Sequence, residues 1–263
     1  MTHGTFSDRK ICMGIATWMA EHGYTSWILE WREHGASSKS PDPFHFEEIA
    51  RLDLPLVFSY LKDTQKVNDV YALTHSGGGI ILCLYLMIYP HAQESVKRIA
   101  VFGCQAFGAA TSSWNYLKIL GGKYLSKLIG ITPGKMGGRP HDEHYHTMRQ
   151  WFNWNISGQF LSETGEDFRE MMPQMRVPVL SVYAKGDRFI APPDGCIAFW
   201  QAFENPLNQG VYGAIENGFS EDFDHSRILH SQTALKEIWP RVLNWFSSIE
   251  GDLANSASQA VDD

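Results

Sequence analysis

The chain has 263 residues, 44% of them hydrophobic and 19% charged, which suits one globular unit with a sizeable core. Twenty-two basic against 29 acidic residues leave a net charge of −7, and no run gathers Lys or Arg, so nucleic acid is not an expected partner. The longest apolar run, 80–89, is too short to span a bilayer, and the start does not read as a signal peptide.

Residues 9–21 spread Ile11, Met13, Ile15, Trp18 and Met19 along a predicted helix that His22-Gly23 ends. Residues 25–31 read as a buried strand and 32–43 as a Gly-, Ser- and Pro-rich loop. Residues 46–61 form a helix interrupted at Pro55, with Ile49, Leu52, Leu56 and Phe58 available for burial. The next strand, 69–73, runs into Thr74-His75-Ser76-Gly77-Gly78-Gly79. Residues 79–89 are apolar nearly all round, as a helix buried against a sheet should be. A strand that stops at a serine, then enters a glycine-rich turn before a helix, has the pattern of a nucleophile elbow. The turn is strained, so small residues must flank the serine, and the hydroxyl stands out above the sheet. Thr74 occupies the place where glycine is usual.

Residues 96–102, 177–184 and 211–215 are further strands. Trp239, Val242, Leu243, Phe246 and Ile249 recur at helical spacing, with Pro240 in the first turn. The alternation predicts an α/β fold, a mostly parallel sheet flanked by helices. It breaks between Gln105 and Arg176, where Trp114, Tyr116, Leu117, Tyr124, Leu125, Leu128, Trp151, Phe152, Trp154 and Phe160 fall, along with Gly137-Gly138. Residues 106–176 are therefore expected to form a helical cap over the sheet's catalytic edge, with 1–105 and 177–250 as the core. The tail 251–263 is small, polar and acidic, a composition that predicts disorder. Cys12, Cys83, Cys104 and Cys196 lack CxxC spacing and are expected as buried free thiols, which fits a cytoplasmic location.

Three further stretches complete the pattern. Asp187 ends an apolar strand in a Gly186-Asp187 turn. His225 lies in the polar loop Asp222-Phe223-Asp224-His225-Ser226, and His3-Gly4-Thr5-Phe6 lies near the start. Serine, acid, then histidine is the chain order of α/β-hydrolases. With Met148-Arg149-Gln150-Trp151 in the cap and Trp239-Pro240 near the end, the chain resembles that superfamily over nearly its whole length, and in detail a bacterial branch of esterase-like serine hydrolases with a helical cap.

A neutral serine hydroxyl needs a base, and the base needs an orienting group. Ser76 is the expected nucleophile, His225 the base and Asp187 the orienting acid. His230 falls in the following helix, and His75 is beside the serine but points elsewhere. Asp222 and Asp224 are too near His225 in sequence for the required geometry, and Asp194 is expected to cap a helix. The oxyanion needs two backbone donors. Gly77 follows the nucleophile and supplies one; by resemblance the amide of Thr5 supplies the other, with Phe6 as the fallback. The implied reaction is hydrolysis of a small-molecule carboxylic ester with an apolar acyl or aryl group, through an acyl-enzyme and without a cofactor. Acyl transfer or carbon–carbon bond hydrolysis on the same triad, or an inactive truncated scaffold, are the alternatives.

His141, Asp142, Glu143, His144 and His146 invite a metal reading, but no i, i+4 histidine pair exists there, so no metal is expected and Asp142 is assigned to capping the helix of Met148. Arg149 suits a substrate carboxylate less than a structural ion pair. In the resembled fold, the strand before His-Gly is central, between 25–31 and 69–73. Only Met1-Thr2 precede His3, so N-terminal strands are expected to be missing from this sequence. Otherwise the flanking strands close up and displace the loop that carries Thr5.

Overall fold

The structure is a computed structural model and describes residues 1–135 and 139–248. Among them the strands are β1 (Val70–His75), β2 (Val96–Phe102), β3 (Ile131–Thr132), β4 (Glu143–His144), β5 (Val179–Ala184) and β6 (Gln209–Gly213). Four of these form a parallel sheet in the order β1-β2-β5-β6, while β3 and β4 pair antiparallel. The helices that matter for the site are α1 (Lys10–Glu21), α2 (Phe46–Glu48), α3 (Leu54–Ser59), α4 (Gly77–Ile88), α5 (Ser113–Ile129) and α6 (Tyr145–Ser157). A last helix covers 239–248.

Strand side chains alternate between two apolar clusters, as period-2 geometry requires. Leu73, Ala100, Phe102, Leu180 and Val182 join Ile15 and Met19 of α1 and Trp239, Val242 and Phe246. Ile99, Val101 and Val179 join α4 and the residues of α6 on the other face. Helix α4 is buried from Gly77 to Met87, in line with its unbroken apolar sequence. The four cysteines are buried and unpaired. Among the described residues, no helix is long and apolar enough to cross a membrane.

Three elements differ from expectation. The predicted strand 25–31 forms only an isolated bridge at Leu29, and most of it is partly or fully exposed. Its partner is a single residue. Thr2 sits between Leu29 and Thr74 and pairs parallel with both. The Thr2 amide donates to the Leu73 carbonyl (3.1 Å), His75 donates to Thr2 (3.1 Å) and Leu29 to Met1 (2.9 Å). The flanking segments therefore do not close on each other, and a hollow of about 710 Å³ remains between Trp27 and Tyr71.

The helix from 46 stays helical past Pro55, but π-helical turns at Ile49–Asp53 and Tyr60–Thr64 flank α3. Proline cannot donate to the carbonyl four residues back. That carbonyl, on Arg51, accepts from the Tyr89 hydroxyl instead (3.1 Å). Extra residues in the π turns rotate the apolar stripe, so Leu52 and Leu56 are exposed while Leu54 joins Ile49 in the core. The strand expected at 211–215 is instead β6, ending at Gly213, and Ile215–Asn217 is a 3₁₀ turn. Gly137-Gly138, Ile249 and the tail 251–263 lie outside the described residues.

Candidate active site

Ser76 stands between β1 and α4 with φ 52° and ψ −124°, a left-handed conformation that a non-glycine residue adopts only under constraint. The constraint is visible. Its amide donates to the Phe102 carbonyl on β2 (2.8 Å), and its own carbonyl accepts from Gly79 (2.9 Å). Small neighbours make room. A Cβ on Gly4 would lie 2.6 Å from the Ser76 Cβ, and one on Gly78 would lie 2.4 Å from the His3 carbonyl. The His3–Thr5 loop therefore rests directly on the elbow. Thr74 fits the place usual for glycine because it is within β1, where a β-branched residue is at ease.

Asp187 follows β5 and is buried. Its carboxylate accepts from the amides of Ile190 (3.0 Å), Ala191 (3.0 Å) and Phe189 (3.4 Å), and Oδ2 contacts His225 Nδ1 at 2.5 Å. Burial works against the charge, but His225 and these amides outweigh it and hold the carboxyl below its ordinary pKa. The two loops are locked by Gly186, whose amide donates to the Phe223 carbonyl (2.7 Å). A Cβ there would lie 2.6 Å from that oxygen.

His225 is also held from behind. Its carbonyl accepts from His75 Nε2 (2.9 Å), and the two rings lie 4.8 Å apart. Burial, reinforced by His225, pushes the His75 pKa down to about 3, so His75 is a neutral Nε2–H donor. Sequence reasoning set His75 aside; its alternation on β1, facing away from the serine, was the available signal. His230 bonds the Ser226 carbonyl, Asp222 accepts from Ile215 and pairs with Lys185, and Asp224 caps the amides of Ser226 and Arg227. None of these competitors binds the His225 ring.

Ser76, Gly77 and Thr5 line one pocket of about 370 Å³, and Gly103, against which the His225 ring rests, forms part of its wall. Among the described residues, no hydrogen bond links the Ser76 hydroxyl to that ring. Phe46, Ile80, Met148, Trp151 and Phe152 supply apolar wall, and Gln105, Lys118, Thr132 and Arg139 supply polar and charged wall. Two aromatic residues of the expected cap lie elsewhere: Trp154 and Phe160 are core. Phe6, the fallback oxyanion donor, is already committed, since its amide donates to Glu143 Oε1 (2.6 Å).

Glu143 is a residue that sequence reasoning missed in this role. It is buried, and the same oxygen meets His34 Nε2 at 2.9 Å. Burial disfavours the His34 imidazolium, but the bond and charge of Glu143 prevail, and the His34 pKa is raised. The acid had been visible only as one of a cluster of possible metal ligands. That cluster is dispersed onto protein partners: His141 meets Asp8, His144 meets Glu33, and Asp142 accepts from Gly134 and Lys135. Asp142 thus caps the β3–β4 turn rather than α6, whose N-cap is His144. Asp194 lies in the first turn of the helix Pro193–Gln201, with Pro192 at the cap. Arg149 pairs with Glu163.

The sheet order, the elbow and the loops behind it define an α/β-hydrolase fold. The chain belongs to the family described as serine aminopeptidase, S33, which matches residues 1–207. Solved structures agree on the fold. A monoacylglycerol lipase from Paleococcus ferrophilus superposes with a TM-score of 0.64 at 12% identity, covering 94% of this chain and 92% of that one. An esterase from Exiguobacterium antarcticum gives 0.64 at 15% identity, over 93% and 90%. An enol-lactonase from Burkholderia xenovorans gives 0.58 at 15%, over 94% and 89%. No curated protein matches the sequence.

Proposed function

We propose that this protein is a serine hydrolase that cleaves a carboxylic ester with an apolar acyl or aryl group through an acyl-enzyme. Ser76 Oγ attacks the ester carbonyl and gives its proton to His225 Nε2. Asp187, kept ionised by its amides and by His225, holds the ring through Nδ1 and stabilises the imidazolium. The Gly77 amide, in the first turn of α4, and the Thr5 amide receive the oxyanion. His225 returns the proton to the leaving alcohol, and water repeats the sequence on the acyl-enzyme.

One observation carries this reading. A strained serine opens onto a pocket that Phe46, Ile80, Met148, Trp151 and Phe152 help to wall, and a histidine–carboxylate pair lies behind it, the ring against the wall residue Gly103. The esterase, lipase and lactonase folds among its structural neighbours are in keeping with ester chemistry. Residues 106–176 act as the cap that shapes the acyl site, and the unpaired buried thiols fit a cytoplasmic setting. The test is turnover of p-nitrophenyl esters by the wild type and by Ser76→Ala. The expected loss is at least about 10⁴-fold with an unchanged fold by circular dichroism. Retained ester cleavage in Ser76→Ala overturns the assignment.

A further inference from the structure

Helix α5 has its apolar side chains on the wrong side for packing. Its inward line is Asn115, Ile119, Gly122 and Ser126, largely small or polar. Its outward stripe is Trp114, Leu117, Tyr124, Leu125 and Leu128, at helical spacing, with 66% of Trp114 and 84% of Leu128 exposed. The helix is properly finished at both ends: Ser112 caps the Asn115 amide and Gly130 closes it in the left-handed region. The outward stripe is therefore not a frayed end. An apolar band of this length in water marks a surface that meets something else.

Charge identifies the partner. The helix has three lysines, Lys118, Lys123 and Lys127, and no acid, on a chain whose net charge is −7. None of the three forms an ion pair among the described residues; Lys118 instead lies over the Trp114 and Phe189 rings. On the helix the lysines flank the stripe on both sides. Apolar and aromatic residues bordered by cations fit the boundary of an anionic lipid layer. A second copy fits less well, because a two-fold pairing through this stripe would set lysine against lysine.

Position connects the stripe to the pocket. Gly122 of the inward line and Lys118, at one edge of the stripe, are both wall residues of the pocket that holds Ser76, so that edge of the stripe adjoins the pocket. We propose that the α5 stripe docks on anionic lipid surfaces, and that esters dissolved in such a surface reach Ser76 by way of the α5 side of the pocket. The second half of this statement rests on the ester-hydrolase reading; the docking itself does not.

The test uses the whole chain and sucrose-loaded vesicles of phosphatidylcholine, with and without phosphatidylglycerol. The wild type is expected to sediment with the phosphatidylglycerol vesicles at low salt and to be released as salt rises. Leu117→Glu with Leu128→Glu is expected to weaken that partition about a hundredfold. Lys123→Glu with Lys127→Glu should remove the preference for phosphatidylglycerol. Both pairs should still hydrolyse a water-soluble ester at the wild-type rate, since none of the four residues lines the pocket. Failure of the wild type to bind, or equal binding by the leucine variant, overturns the docking. So does a concentration-dependent dimer that the leucine variant abolishes, because the occupant is then a second copy. Vesicle binding without any ester turnover leaves the docking intact and defeats the hydrolase reading.

Discussion

The pocket has two unlike walls. The wall at the sheet edge is held by backbone: Ser76 is bonded to β2, Asp187 receives three amides, and Gly186 and Phe223 tie the acid and histidine loops together. The wall from α5 and α6 is held by side-chain packing and leaves a long apolar stripe in solvent. Reacting atoms must stay within a fraction of an ångström, which fixed peptide groups provide. For the proposed ester hydrolysis, an acyl site gains from adaptable packing instead. Glu143 bridges the walls, reaching from β4 to the Phe6 amide next to Thr5, the proposed oxyanion donor.

The contrast can be broken most severely on the sheet-edge wall. Asp187→Asn should retain the fold and lower kcat by about 10⁴-fold, because the imidazole loses its orienting anion. Steady-state kinetics on a soluble ester will show it, and a loss below tenfold would mean that another acid serves His225. Gly4→Ala comes next. The added methyl must push the loop off Ser76, which moves the Thr5 amide. A fall in kcat of about 10²–10³-fold with KM nearly unchanged is the expected signature of a lost oxyanion donor. If KM alone changes, the loop binds substrate and does not stabilise charge.

The bridge between the walls should show a milder effect. Glu143→Leu strands the buried Phe6 amide and the His34 ring, at a cost of about 1–3 kcal/mol in denaturant unfolding. A kcat reduced about tenfold at constant KM would show that it positions the loop; unchanged kcat would make it purely structural.

The smallest effect near neutral pH concerns buried histidines. Burial lowers His75 to about 3 and His3 to about 4, whereas an unfolded histidine titrates near 6.5. Between those values the unfolded chain holds more protons, so stability falls as pH falls. The slope is about 1.4 kcal/mol per pH unit for each histidine. His34 runs the other way: its raised pKa makes its pairing with Glu143 stabilising at low pH, and that gain is lost as pH rises through its folded pKa. Melting temperature should drop between pH 6.5 and 5, and less steeply in His75→Gln, which can still donate to the His225 carbonyl. Equal slopes would show that His75 is not the acid-sensitive group.

What the sequence by itself determined is local and periodic. The run Val70–Gly79 required a strand, a strained serine and a buried helix, because few backbones satisfy that residue order. The bounds of β2 and α1 followed from apolar spacing. The order of Ser76, Asp187 and His225 was equally legible, since each ends or follows an apolar strand. Tertiary structure decided the rest. The segment 25–31 has strand chemistry, yet a ladder needs a neighbour, and Thr2 alone supplies one. The π turns around α3 answer to a partner for the Arg51 carbonyl that is 38 residues away on Tyr89. Glu143 reads as one more polar loop residue until folding buries it against Phe6 and His34. Most consequential, the stripe on α5 has the same periodicity whether it faces a core or water, because spacing fixes which residues share a face and only packing fixes what that face meets.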